Sequence, residues 1–469
     1  MNKVLKLKNI GKLSEAEIYL EGITVVCGEN NSGKSTIGKA LYNIFYSFFN
    51  SEEKADNQKN DKIGKEFDEI HKQLMFTFKK FTPSNEMFSE KYFSTIKKNF
   101  KARLKRCDSS NIEKVFDEYF ENCINLFKIN YIKENRNFCE FDGLKATFKT
   151  ILVNLYKIPT EDIVKDIVSV QTEKVFHGQI TKISCEESCV EFYDDIKGKL
   201  SMNYSSNDKC IEAIQEFIVN NDSIPIYIEN PRIIDLLSNS IIKSKEFIKM
   251  ILSPSNSYND IYGQLLSGNF AASLNKSLKK WTKNSQSDDS RMDIIQTEKK
   301  VTEMIKELNK LLNGKFIAND YTIRFKDNDI ATALDVRNLS TGAKSMAVIE
   351  RCLSLGIIKE GSILILDEPE IHLHPEWQLK YAEFIIILQK ALNLTILITT
   401  HSPQFLRAIE CYMDKYEVMD RLNVYSIENG SITNASYSEY GISEIYDKLS
   451  KPYDELQQML DEKYGEYNE

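Results

Sequence analysis

The stretch Val25-Val-Cys-Gly-Glu-Asn-Asn-Ser-Gly-Lys-Ser-Thr36 restricts this chain to few architectures. Gly28 to Ser35 fit the spacing G-x-x-x-x-G-K-[ST], and Ile23 to Cys27 form an apolar run that reads as a buried strand. Ile37, Ala40, Leu41, Ile44 and Phe45 then recur at helical spacing, so a glycine loop joins a strand to a helix. A chance glycine turn would not bring all three into register. The backbone N–H groups of Gly28, Glu29, Asn30, Asn31, Ser32 and Gly33 lie at the positive end of that helix and form a cradle for phosphate oxygens. Gly28 and Gly33 allow the backbone its close approach. Lys34 is placed for β- and γ-phosphates and the Ser35 hydroxyl for Mg²⁺, with Thr36 completing the loop.

The last third of the chain carries a matching set of residues. Ser362-Ile-Leu-Ile-Leu-Asp-Glu-Pro369 is an apolar run ending in two carboxylates, the pattern of a buried parallel strand with acids at its C-terminal tip. Asp367 is suited to holding Mg²⁺, and Glu368 to polarising an attacking water. Thr395-Ile-Leu-Ile-Thr-Thr400 reads as another buried strand, ending in His401, whose imidazole can reach a terminal phosphate from the same sheet edge. Ser340 to Gly342 precede a helical pattern (Met346, Val348, Ile349, Cys352, Leu353) and form a second anion-binding helix N-terminus. His372 and His374 lie beside Glu370 and Glu376, but a third ligand is missing, and a polar loop accounts for them.

At 469 residues the chain is long enough for a large core, and it has no run of 18 apolar residues. A transmembrane helix or signal peptide is therefore not expected. Nine cysteines without metal-ligand spacing fit a reducing cytoplasm. A net charge of −8 argues against coating nucleic acid through overall charge.

Residues 1–50 read as two alternating strands (Val4–Lys8, Ala16–Leu20) beside the loop strand, followed by the first helix. Residues 51–165 have helical apolar spacing (Phe67, Ile70, Leu74, Phe78; Val115, Tyr119, Cys123) and read as a helical insertion. Its run Lys97 to Arg106 (KKNFKARLKR) is either the solvated face of a helix or a nucleic-acid contact. Residues 166–235 contain a predicted three-strand meander (Gln179–Ile183, Cys189–Tyr193, Lys199–Tyr204). A helix from about Lys209 and a strand at Ile224–Ile228 follow. Residues 236–315 read as a helical lobe, with Lys276, Lys279, Lys280 and Lys283 around Trp281. Residues 316–438 open with a hairpin and carry the second motif set. The tail 439–469 has nine acidic residues against three lysines, interleaved with apolar ones. It reads either as an attachment point for a partner or as a closing amphipathic helix.

In this order the motifs resemble the ABC-type ATPases of the SMC and RecF group. LSTGAKS resembles their signature, LILDEPE their Walker B strand and TTHSP their switch histidine. DEPEIHLHPEWQ resembles a bacterial AAA-family branch that includes OLD-type nucleases and the PtuA ATPases of Septu and retron-associated phage defence. The resemblance implies an α/β fold: an ABC-type P-loop ATPase head, with a mixed sheet, flanking helices and helical insertions. It also implies ATP and Mg²⁺ as ligands, and catalytic roles for Lys34, Glu368 and His401. Two heads would sandwich ATP, with Ser340 and Gly342 contacting the nucleotide of the partner copy. A Q-loop glutamine is not identifiable, and Glu229 or Asn230 stands nearest its place. With 68 residues after His401 there is too little chain for the nuclease domain of OLD-type proteins. The resemblance thus favours a sensor subunit of an anti-phage complex with a separate effector such as a nuclease. A RecF-type DNA-repair ATPase and an ATP-binding switch with negligible turnover are the alternatives.

Overall fold

The computed structural model describes residues 3–465 except 83–86, 105, 109, 132–138, 220–223, 230–287, 319–322, 331, 355–356, 372 and 438–440. The chain divides into two compact units: Met1–Phe49 with Val168–Glu469, and Asn50–Ile167. The Trp281 region and Asn230 lie outside the described residues.

The first unit is built on a mixed sheet. Its strands are β1 (Lys3–Ile10), β2 (Leu13–Tyr19), β3 (Ile23–Cys27), β4 (Glu187–Asp194), β5 (Gly198–Ser205), β6 (Cys210–Gln215) and β7 (Ile226–Ile228). The C-terminal third adds β11 (Ile363–Asp367), β12 (Thr395–Thr400), β13 (Leu422–Glu428) and β14 (Ser431–Asn434). The order is β6-β5-β4-β1-β2-β14-β13-β3-β12-β11-β7. From β13 to β7 every pairing is parallel, whereas β6 to β2 form an antiparallel meander. A separate small sheet holds β8 (Gly314–Ala318), β9 (Ile323–Asp327) and β10 (Leu334–Asp335).

Helices pack onto the parallel half: α1 (Lys34–Phe48), and, beyond the second unit, α7 (Asp288–Leu311), α8 (Thr341–Ser354), α9 (Pro375–Leu392) and α10 (Pro403–Lys415). Coverage of both faces is why β3, β11 and β12 are buried at every position and are mostly apolar. Val25, Leu366 and Ile398 meet Val348, Ile385 and Leu406 in one core.

Three local expectations change. β1 and β2 do not flank the loop strand, because the C-terminal hairpin β13–β14 inserts between β2 and β3. Lys209 does not begin a helix; Cys210–Gln215 pairs antiparallel with β5, and sheet pairing decides the conformation of this short segment. Of the predicted strand Gln179–Ile183, only the isolated bridge Ile10–Thr181 forms.

The second unit contains α2 (Ser51–Phe81), α3 (Ser94–Leu104), α4 (Ile112–Tyr131), α5 (Cys139–Lys157) and the start of α6 (Thr160–Phe176). Phe67, Ile70, Leu74 and Phe78 line one face of α2 and pack with Phe116, Phe120 and Phe127. Phe78 stacks on Phe127 with ring centroids 4.4 Å apart. On α3, Phe100 and Leu104 are buried, while Lys97 and Lys101 pair with Asp68 and Arg103 pairs with Glu118. No described helix is long and apolar enough to cross a membrane.

Candidate functional site

β3 ends at Cys27, and the chain turns through Gly28–Gly33 into α1. Gly33 holds a left-handed φ of 108° and Asn31 a φ of 65°. The N-terminus of α1 has no side-chain cap; Thr36 N donates to the Gly33 carbonyl at 3.1 Å, and the helix start presents its other N–H groups to an outside acceptor. A side chain at Gly28 would put its Cβ 2.9 Å from Ser32 Oγ and 3.2 Å from the Ile427 carbonyl, so the cradle has room only for backbone there. Ser32 Oγ is buried and has no hydrogen-bond partner among the described residues; a phosphate oxygen would satisfy it.

Parallel pairing brings the second motif set to this loop. Asp367 at the tip of β11 pairs in register with Thr399 of β12, and Thr400 pairs with Cys27 of β3. Ser35 Oγ donates to Asp367 Oδ1 at 2.9 Å. Tyr227 donates to Asp367 Oδ2 at 2.6 Å, and Thr399 Oγ1 also donates to Asp367. A hydroxyl and a carboxylate oxygen in contact form a donor set for a hard divalent cation, so Ser35 and Asp367 fit Mg²⁺. Lys34 is only 3% exposed. Its Nζ donates to the carbonyls of Gly28 (3.0 Å) and Glu29 (2.8 Å) and lies 3.2 Å from Glu368 Oε1.

Glu368 has a φ of 47°, in the left-handed region that non-glycine residues rarely occupy. Its backbone N–H is anchored by both Thr399 O and Thr399 Oγ1. His401 follows β12, with Nδ1 at 3.5 Å from Glu368 Oε1 and 3.8 Å from Glu370 Oε1. Lys34, Ser35, Asp367, Glu368 and His401 are thus gathered at one sheet edge.

Sequence reasoning missed Glu370, Tyr227, Thr399 and Thr400. Glu370 is 4% exposed and accepts from the Thr400 hydroxyl and, at 3.2 Å, from the His401 N–H. Burial raises its pKa, and those hydrogen bonds oppose the rise. The sequence signal was the third acid of Asp-Glu-Pro-Glu facing Thr-Thr-His across two parallel strands. Replacing Glu370 with alanine takes the acceptor from the Thr400 hydroxyl proton, whose oxygen still accepts from Ser402 N, and from the His401 N–H, at a cost of about 1–3 kcal/mol each. We expect turnover to fall about tenfold with KM within about twofold, since Glu370 orients His401 without touching the loop. Steady-state kinetics check this, and a rise in KM with unchanged kcat would contradict it.

The second helix N-terminus lies elsewhere on the unit. Ser340 is exposed and its Oγ accepts from Ala343 N at 3.4 Å, capping α8. Gly342 is buried, and a Cβ there would lie 2.9 Å from the Trp377 ring of α9, so packing alone demands glycine. His374 caps α9, its ring Nδ1 accepting from Glu376 N. Glu229 follows β7, which pairs with β11.

Residues 1–406 match the model of the AAA ATPase domain family. The chain belongs to that family. In this ATPase-domain protein the matched span contains the phosphate loop, the Asp-Glu strand and His401. No curated protein matches the chain. Similar solved structures include an SMC head bound to the C-winged helix domain of ScpA: 11% identity, 93% of this chain and 98% of that one, TM-score 0.41. The SMC head domain from Thermotoga maritima is 9% identical, covering 92% and 97%, with a TM-score of 0.36. RecF with ATP, from the RecFOR pathway, is 12% identical, covering 92% and 99%, with a TM-score of 0.36.

Proposed function

We propose that this protein binds Mg-ATP in the Gly28–Thr36 loop and hydrolyses it. The carrying observation is the meeting of the loop with the Asp-Glu strand: Ser35 bonds Asp367, and Lys34 lies against Glu368. Mg²⁺, held by Ser35 and Asp367, would neutralise charge on the β- and γ-phosphates. Lys34 would exchange its carbonyl and Glu368 contacts for phosphate oxygens as ATP enters. That exchange releases Glu368 to accept a proton from the attacking water, so the base is freed only when substrate is present. His401 would donate toward the terminal phosphate, held in place by the Glu370 contact to its backbone.

Hydrolysis in this reading occurs in a dimer of heads, with Ser340 of one copy capping the nucleotide of the other. The exposed Ser340 supports this, because its helix terminus is open to a second molecule. The test is complementation. Ser340→Asp keeps a helix-capping side chain but places a negative charge against a partner-bound phosphate. It is preferred to a Gly342 variant, which would collide with Trp377. Lys34→Ala and Ser340→Asp are each expected to be inactive. A mixed population should recover about a quarter of parent activity, because half the dimers are mixed and one of their two sites is intact. Mixed dimers without activity would exclude the shared site.

The biological role that fits is a regulatory subunit of an anti-phage complex acting through a separate effector. It rests on the DEPEIHLHPEWQ resemblance. The ion pairs of Lys97, Lys101 and Arg103 within the chain argue against direct nucleic-acid binding by that basic run.

A further inference from the structure

The phosphate loop has two flanks. On one, across β12, stand Asp367 and Glu368, where the terminal phosphate belongs. On the other, across β13, a cavity of about 720 Å³ opens beside Gly28–Ser32. Its walls include the β1–β2 turn at Gly11 and Lys12 and the β13–β14 turn at Glu428–Gly430. These two turns are locked together, Ser14 N donating to Gly430 O at 2.8 Å. A nucleotide lying along the loop with its terminal phosphate toward Asp367 would direct its nucleoside toward this cavity.

Lys182 and Ile183 line the cavity as well, and a further wall comes from the C-terminal helix α11 (Ser443–Gly465), through Ile445, Lys448, Leu449 and Lys451. This helix lies beyond the family-matched residues 1–406. Its first turns are seated on the unit: Ile445 is 3% exposed and Tyr446 bonds Glu410. Lys448 pairs with Glu428 of the β13–β14 turn and, at 2.8 Å, with Glu444. Past Lys451 the helix leaves the body, and Tyr453, Leu456, Met459 and Leu460 are exposed. One helix therefore has one end in the cavity and the other in solvent.

We infer that α11 is a nucleoside-binding wall of the ATP site, with Leu449 packing on the base and Lys448 moving from Glu428 to the nucleotide. This rests on the proposed ATP binding and adds regulation to it: nucleotide occupancy sets the seating of α11. An apolar side chain over the base supplies contact area, and a lysine beside the ribose donates hydrogen bonds to its hydroxyls. Inorganic tripolyphosphate engages the loop alone and leaves α11 untouched.

The experiment uses the full chain in a Glu368→Gln background, so that ATP persists. Calorimetric titrations compare Mg-ATP with Mg-tripolyphosphate, and amide exchange is followed in both. We expect ATP, and not tripolyphosphate, to slow exchange over 443–451. Leu449→Ala and Lys448→Gln should each weaken ATP about tenfold while tripolyphosphate affinity stays within about twofold. ATP protection confined to residues 28–36, with both variants binding ATP as the parent does, overturns the inference. Equal weakening of both ligands also overturns it, because the helix would then act through the fold. Binding of neither ligand by the parent refutes the ATP reading itself.

Discussion

Lys34→Ala is expected to lower ATP turnover by at least about 10²–10³-fold, since it removes the buried cation facing developing phosphate charge. Its contacts separate that loss from simple misfolding. Lys34 Nζ bonds two loop carbonyls and lies against Glu368. Truncation strands those carbonyls at a cost of about 1–3 kcal/mol, which a large domain survives. A thermal melt should therefore show a folded variant with a modestly lowered midpoint, while ATP binding and hydrolysis are lost. A folded Lys34→Ala protein that turns over ATP at the parent rate would remove the loop from the mechanism.

Glu368→Gln is expected to slow hydrolysis about 10²–10⁴-fold while ATP still binds. Glutamine keeps the side-chain shape and demands no more of the backbone at φ 47° than glutamate does. It also removes the negative charge that holds Lys34 at 3.2 Å, so the lysine turns to phosphate more readily. ATP affinity should consequently equal or exceed that of the parent. Equilibrium binding beside single-turnover hydrolysis checks both halves. Parent-like hydrolysis would assign the base elsewhere, Glu370 being the nearest carboxylate to His401 after Glu368.

The two variants act on one contact from opposite sides, which is why their effects divide. Lysine removal costs binding and chemistry together, whereas the glutamine variant costs chemistry alone. Kinetics that failed to divide this way would mean that Lys34 and Glu368 are structural partners and not substrate and base contacts.

Local order was legible in the residues themselves. Ile23–Cys27, Ile363–Asp367 and Thr395–Thr400 announce buried parallel strands because both faces must be apolar. The spacing of Phe67, Ile70, Leu74 and Phe78 marks one face of α2 because a helix returns every 3.6 residues. The glycine loop, the adjacent Asp367 and Glu368, and His401 carry their chemistry in residue type and position. Each of these signals lies within a few residues of chain.

Long-range pairing was decided only in the tertiary structure. Nothing near Leu13–Tyr19 says that residues 422–434 will separate it from β3, because a strand's periodicity names its buried faces and not its neighbour. The segment Cys210–Gln215 became a strand because β5 offered an open edge. Glu370 became the anchor of His401 because register places β11 and β12 side by side. The seat of α11 against the phosphate-loop cavity is of the same kind. Motif chemistry is local and survives in a linear reading; the partners that orient it are fixed by which edges and faces remain open once the sheet has formed.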